Sequence, residues 1–129
     1  MLSMTAPTRR RTEKVNLAQK FGLFHEQWKQ KIVGEVNEFY VKIVKLQGEF
    51  IWHRHEQEDE FFLVTKGRLT VQLRDREISL GEGEFFIVPK GVEHRPVAVE
   101  EAHVLVLEPK STVNTGDALG GGTLASEWI

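Results

Sequence analysis

The chain has 129 residues, 40% hydrophobic and 28% charged, the proportions of one globular domain. Its 17 basic and 19 acidic residues leave a net charge of −2, which argues against broad affinity for nucleic acid or anionic membrane. It has no cysteine, which excludes disulfides, thiolate metal sites and cysteine nucleophiles. The longest apolar runs fall well short of a membrane span, and no signal-peptide core follows the basic residues near the start, so a cytoplasmic location is expected.

Residues 1–14 are polar and include Arg9-Arg10-Arg11; a flexible basic arm is expected there. Asn16 followed by Gln19 is a helix-start signal, predicting one or two turns over Leu17 to Phe21 before Gly22. From Phe24 the pattern turns to β. Gln27 to Val33 and Glu38 to Leu46 flank Gly34-Glu35-Val36-Asn37 and predict a hairpin, its second strand half-buried. Further strands are expected over Glu49–His55, Glu60–Thr65, Arg68–Arg74, Ile78–Leu80 and Phe85–Val88. His94–Val99 and His103–Leu107 read as a last pair. Pro89 lacks the N–H of a central ladder and should stop the strand before it. About nine short strands without a long helix predict an all-β sandwich or barrel, a jelly roll, over residues 15–110. Residues 111–129 form a glycine-rich tail. Its apolar end, Trp128-Ile129, should dock on the body, with Asn114 and Asp117 as turn-makers.

The chemistry concentrates in two stretches. On an extended strand His53 and His55 project to one side, with Arg54 opposite. Glu60 opens the next apolar run, and His94 follows Pro89-Lys90-Gly91. Three imidazoles and one carboxylate are a ligand set that a borderline divalent metal uses while keeping open positions. Glu60 competes with Glu56, Glu58 and Asp59, and its place at the head of a strand favours it. His25 and His103 have no such context and are expected to be structural.

The run Gly48…His53-x-His55-x4-Glu60-x6-Gly67 resembles the first motif of the cupins, and Gly83-x5-Pro89-x-Gly91-x2-His94 resembles the second. The chain is most similar to the small single-domain members, some loosely labelled mannose-6-phosphate isomerase-like. Two departures stand out. Four residues rather than five separate Gly48 from His53, and Ala98 stands where the second motif ends in Asn. The resemblance implies a double-stranded β-helix, the cupin jelly-roll barrel, here with an N-terminal β-hairpin extension. It also implies one divalent metal ion per chain, iron, manganese, nickel or zinc, held by His53, His55, Glu60 and His94. A glutamate in place of a fourth histidine lowers the site's charge from +2 to +1 and hardens it.

Phe61, Phe62, Phe85 and Phe86 alternate faces, so each pair should send one ring inward and one outward. Lys90 and Arg95 are expected to be solvated, and Trp52 should face away from the metal. The sequence therefore points to a metal-dependent enzyme on a small oxygenated substrate, isomerase-like or dioxygenase-like. The competing reading is a non-catalytic module that binds a small ligand or metal. A homodimer is expected, through the apolar Phe24 to Leu46 hairpin.

Overall fold

The computed structural model describes residues 12–112 and 126–129. Most of the expected arm, together with Asn114 and Asp117, lies outside them. One short helix, α1 (Leu17–Phe21), precedes eight strands: β1 (Lys31–Val36), β2 (Phe39–Glu49), β3 (Glu60–Lys66), β4 (Leu69–Leu73), β5 (Glu77–Leu80), β6 (Phe85–Val88), β7 (His94–Pro109) and β8 (Glu127–Trp128). The fold is an all-β jelly-roll barrel.

The helix begins as its sequence dictates. The Asn16 side chain accepts a bond from the Gln19 N–H at 3.0 Å, and Gly22 closes the helix on the Ala18 and Gln19 carbonyls. The hairpin between β1 and β2 turns at Asn37-Glu38, two residues later than the centre of Gly34–Asn37. Asn37 takes the left-handed conformation (φ 52°), which asparagine tolerates, while Gly34 sits inside β1 at a register shift.

β7 is the axis of the sheet. The expected last pair of strands is one continuous strand of 16 residues, whose pairing with β2 shifts register across the exposed Val99-Glu100-Glu101. β2 pairs with it from Phe39↔Pro109 to Glu49↔Val97. On its other side β4 takes the first half and β3 the second, with β6 on the far edge of β3. A 16-residue strand can serve three partners because β3 and β4 take different halves of one edge while β2 takes the other.

Alternation along β7 places His94, Pro96, Ala98, Ala102, Val104, Val106 and Glu108 inward. The interior core joins Val104 and Val106 to Val44, Leu46, Phe62, Val64, Leu69 and Val71. Ala98, where the motif has asparagine, is 1% exposed within this core, so an apolar contact replaces a polar one. Gly67 turns β3 into β4 at φ 85°. A Cβ there would sit 3.0 Å from the Glu101 carbonyl, so only glycine fits.

β2 is buried on both faces rather than one. Its outer face carries Ile43, capped by Phe21, Phe24 and Val33 in a second apolar cluster. Full burial of a side chain such as Ile43 contributes about 1.5–3 kcal/mol. Lys45, also on that face, donates to the Phe24 carbonyl at 2.6 Å. β8 lies parallel to β1, with Ile32↔Trp128 in register and the Ile129 N–H on the Ile32 carbonyl. The Trp128 ring meets Tyr40 edge-on at 5.9 Å. The chain's own α1 and β8 thus cover part of the hairpin from which a homodimer was expected, while Val36 and Phe39 stay exposed. Phe62 and Phe86 turn to the core, while Phe61 and Phe85 stack outside at 5.1 Å.

Candidate metal centre

Glu49–His55 was expected to be a strand, but β2 ends at Glu49. Beyond it the chain touches the sheet at two points. The Phe50 N–H donates to the Pro96 carbonyl at 3.0 Å, and His53 and His94 exchange backbone bonds of 3.0 and 2.9 Å. Without a ladder the local extension still turns His53 and His55 to the same side, with ring centroids 5.1 Å apart. Glu60 comes from the first residue of β3, opposite Val88. His94 opens β7. The Gly91 N–H donates to the His55 carbonyl at 2.8 Å and so ties the second motif to the first. Gly91 adopts φ 80°, which puts its N–H there.

The four side chains are buried, none more than 4% exposed, and one ligand atom from each lies within 4.8 Å of the others. Backbone carbonyls set the tautomers of two rings. His53 Nδ1 is 2.9 Å from the Ile51 oxygen, and His94 Nδ1 is 3.0 Å from the Val92 oxygen. A carbonyl only accepts, so each Nδ1 carries hydrogen, and the neutral ring presents its Nε2 lone pair. His94 Nε2 faces Glu60 Oε1 at 2.9 Å. A lone pair and a carboxylate oxygen repel at that distance unless a proton or a cation lies between them. His55 Nε2 is 3.1 Å from the same oxygen, yet out of hydrogen-bonding geometry; it is buried without a partner. Lone pairs converging on a carboxylate, with one orphaned nitrogen among them, fit a metal ion, and the anchored Nδ1 atoms are the outer support such ligands require.

The charges agree. Burial, aided by neighbouring His94, lowers the His53 pKa to about 4, so its ring is neutral at pH 7. Burial opposes ionisation of Glu60, but the contacts with His55 and His94 prevail and hold its carboxyl well below the usual range. His55 is pulled down by burial, yet contact with Glu60 leaves it above the ordinary imidazole value.

A second buried polar group stands beside the first. The register Phe61↔Leu107 sets Glu60 and Glu108 next to each other across β3 and β7, both inward. Glu108 Oε1 accepts from Lys42 Nζ at 2.9 Å, and Lys42 also donates to Gln30 Oε1 at 3.1 Å. Glu108 Oε2 is buried with no hydrogen-bond partner. Burial first, and the Glu60 charge second, push the Glu108 carboxyl up against the pull of Lys42.

Beside the cluster lies a cavity of about 30 Å³. Val44, Leu46, Phe62, Pro96 and Val106 form its walls, and Gln30, His53 and Glu60 give it polar atoms; Trp28 and Phe50 complete the lining. The volume accommodates about two waters.

The sequence pattern of the Cupin domain family matches residues 40–108, more than half of the chain. The chain is a cupin. Among solved structures it is similar to a cupin-2 domain containing protein from Shewanella frigidimarina NCIMB 400, with 43% identity and a TM-score of 0.74 over 74% of this chain and 94% of that one. It is also similar to protein NMB1881 from Neisseria meningitidis, with 30% identity and a TM-score of 0.69 over 76% of this chain and all of that one. Over 64 residues, 49% of this chain, it is 36% identical to the uncharacterized protein YdbB of Bacillus subtilis (strain 168). The match takes in 57% of that curated relative's length.

The four residues singled out in this cupin's motifs are the four that the fold brings together, and the cluster can bind a metal ion. His103 instead stacks on Phe21 at 4.4 Å and meets Glu101, away from the cluster. Arg95 turns outward to Gln72 and Glu49. Trp52 also faces out, 3.7 Å from the Arg74 guanidinium. The motifs gave no sign of Trp28, Gln30, Phe50, Lys42 or Glu108. For Lys42 a signal did exist: it alternates with Val44 and Leu46, which places it inside.

Proposed function

We propose that this cupin is a metal-dependent enzyme in which His53, His55, Glu60 and His94 hold one divalent ion: iron, manganese, nickel or zinc. The reaction is isomerase-like or dioxygenase-like, on a small oxygenated substrate that binds beside the cluster. One observation carries the reading: four buried ligand atoms converge within 4.8 Å, with His55 Nε2 beside Glu60 but without a hydrogen bond. Such an ion supplies Lewis-acid polarisation of substrate oxygens or, when redox-active, a route for electrons. The chain's own part is to fix the ligands. The Ile51 and Val92 carbonyls orient His53 and His94, Glu60 contributes the negative charge, and mostly apolar side chains line the cavity beside them. Elemental analysis of untagged protein purified without chelators should find about one such ion per chain. Metal-free protein that takes up none of the four on titration would end the reading. Bound metal without turnover on oxygenated substrates would favour the ligand-binding module.

The same proposal includes a homodimer. β6 is an edge strand with Phe85 57% and Ile87 45% exposed, and Phe61 is stacked on Phe85. Exposed apolar side chains on an open edge need cover. Light scattering should give twice the 14.8 kDa chain mass, and a monomer at micromolar concentration would contradict it. A cytoplasmic location completes the reading; recovery of the native protein with membranes would refute it.

A further inference from the structure

Residues 50–55 carry two of the four clustered groups, His53 and His55, yet no ladder holds them. The backbone bonds of this segment run to one side: Phe50 to Pro96, His53 to His94, and the Gly91 N–H to the His55 carbonyl. A segment attached along one edge can still roll about that edge. Rolling would turn His53 and His55 away from Glu60 and His94. A contact on the opposite face opposes the roll.

Trp52 makes that contact. With His53 inward, alternation turns Trp52 outward, directly behind the cluster. Its half-buried ring faces two guanidiniums, with Arg74 Cζ 3.7 Å and Arg95 Cζ 5.4 Å from the ring centroid. Both lie within the roughly 6 Å over which an indole face attracts a cation. Each arginine is itself fixed. Arg74 Nε donates to Glu93 Oε1 at 2.8 Å. Arg95 Nε donates to Gln72 Oε1 at 2.8 Å, and its Nη1 to Glu49 Oε1 at 3.4 Å. Glu93 and Arg95 are the two neighbours of His94 in the chain. Outside the wall, the neighbour of His53 is thus tied to both neighbours of His94. Inside it, the two imidazoles meet with centroids 4.3 Å apart. An anion site built from the two arginines fits less well, because each guanidinium already faces a carboxylate.

We infer that Trp52 is a positioning residue for the metal centre. Clamped by Arg74 and Arg95, it sets the roll of residues 50–55 and so the aim of His53 and His55. It acts through the histidines beside it rather than on ion or substrate itself. The inference rests on the proposed metal centre.

The test is calorimetric titration of the metal-free full chain with nickel(II), alongside circular dichroism and thermal melting of the metal-free protein. A parent chain that takes up no nickel overturns the metal centre and this inference with it. Where the parent binds, Trp52→Ala should keep the β signal and bind nickel about tenfold more weakly, the low end of what groups supporting metal ligands contribute. Trp52→Phe keeps a π face beside the guanidiniums and should stay within about threefold of the parent. Arg74→Met leaves the indole whole and removes one arm of the clamp, so it should weaken nickel binding about threefold. It carries the test if Trp52→Ala does not fold, and unchanged affinity in it then overturns the inference. Combined with a folded Trp52→Ala, it should add no further loss, because the arm has nothing left to hold. A tryptophan that merely stabilises the fold would lower the melting temperature and leave the nickel affinity of the folded chain unmoved. That result, equal losses in Trp52→Ala and Trp52→Phe, or additive losses in the combined variant would overturn the inference and leave the metal centre standing.

Discussion

Two buried carboxylates sit side by side across β3 and β7, and their surroundings drive them in opposite directions. Glu60 receives contacts from two imidazoles and is held ionised. Glu108 has one ammonium on one oxygen, nothing on the other, and an ionised neighbour, so its carboxyl is pushed up. The chemical group and depth are the same, and the difference lies in the number of partners. Burial does not decide the charge of a carboxylate. The balance between lost hydration and gained contacts does, and a second carboxylate nearby tips it further.

Removing a partner from either side breaks the comparison. The largest effect is expected at the metal centre: His94→Ala should weaken metal retention by about 100-fold or more, since even supporting groups around ligands are worth 10–100-fold. Elemental analysis after dialysis reads the loss, and circular dichroism should keep its β signal. Unchanged occupancy would mean that another group is the ligand. On the other side, Lys42→Met strands Glu108 without a counter-charge and should cost about 3–5 kcal/mol in urea unfolding. Adding Glu108→Leu to Lys42→Met should recover most of that loss, because two apolar groups replace a pair. A single variant as stable as the double would mean that Lys42 is not what holds Glu108.

The opposite shifts also predict opposite pH responses in metal-free protein. Glu108 keeps its proton to higher pH folded than unfolded, so its contribution is fully present below the ordinary carboxylate range and fades as pH rises toward about 7. Glu60 is depressed, so its contribution is present above that range and fades in acid. Wild type should therefore lose on the order of 2 kcal/mol relative to Glu108→Gln between about pH 5 and pH 8. Parallel stability curves for the two proteins would show that Glu108 does not titrate in that window. The smallest effect belongs to the loop that ties the motifs. Gly91→Ala meets no neighbour within 4 Å but must hold φ 80°, so it should cost about 1 kcal/mol and leave metal affinity nearly unchanged. A large loss of affinity would show that the Gly91–His55 bond sets the ligand geometry.

The His-x-His pair, Glu60 and His94 were legible because motif spacing places them, and their convergence needed only the barrel. The Asn16 cap was legible because it is a local bond. What escaped depends on distant parts of the chain. Strand alternation offered one buried face for β2, while the second face is covered by Phe21 and Phe24, which periodicity within β2 cannot reveal. The burial of Lys42 is made tolerable by Glu108, 66 positions away. Residues 49–55 read as a strand from composition, yet they hold the sheet by isolated bonds only, because His53 must leave the ladder to face inward beside His94. Glu100-Glu101-Ala102 read as a break between strands because adjacent charges resemble a turn, whereas β7 passes through it unbroken.

The central position of β7 has a consequence for how the molecule comes into being. Phe39 finds its partner at Pro109, Phe61 at Leu107 and Thr70 at Val97, so β2, β3 and β4 all wait for the last long strand. Loop closure must be met before those pairings reward it, which makes this a topology of high contact order and slow assembly. On a ribosome, His53, His55 and Glu60 emerge well before His94, the residue that bridges to His53. The nascent chain therefore carries three of the four clustered groups without their framework, and β7 completes barrel and cluster in one late event.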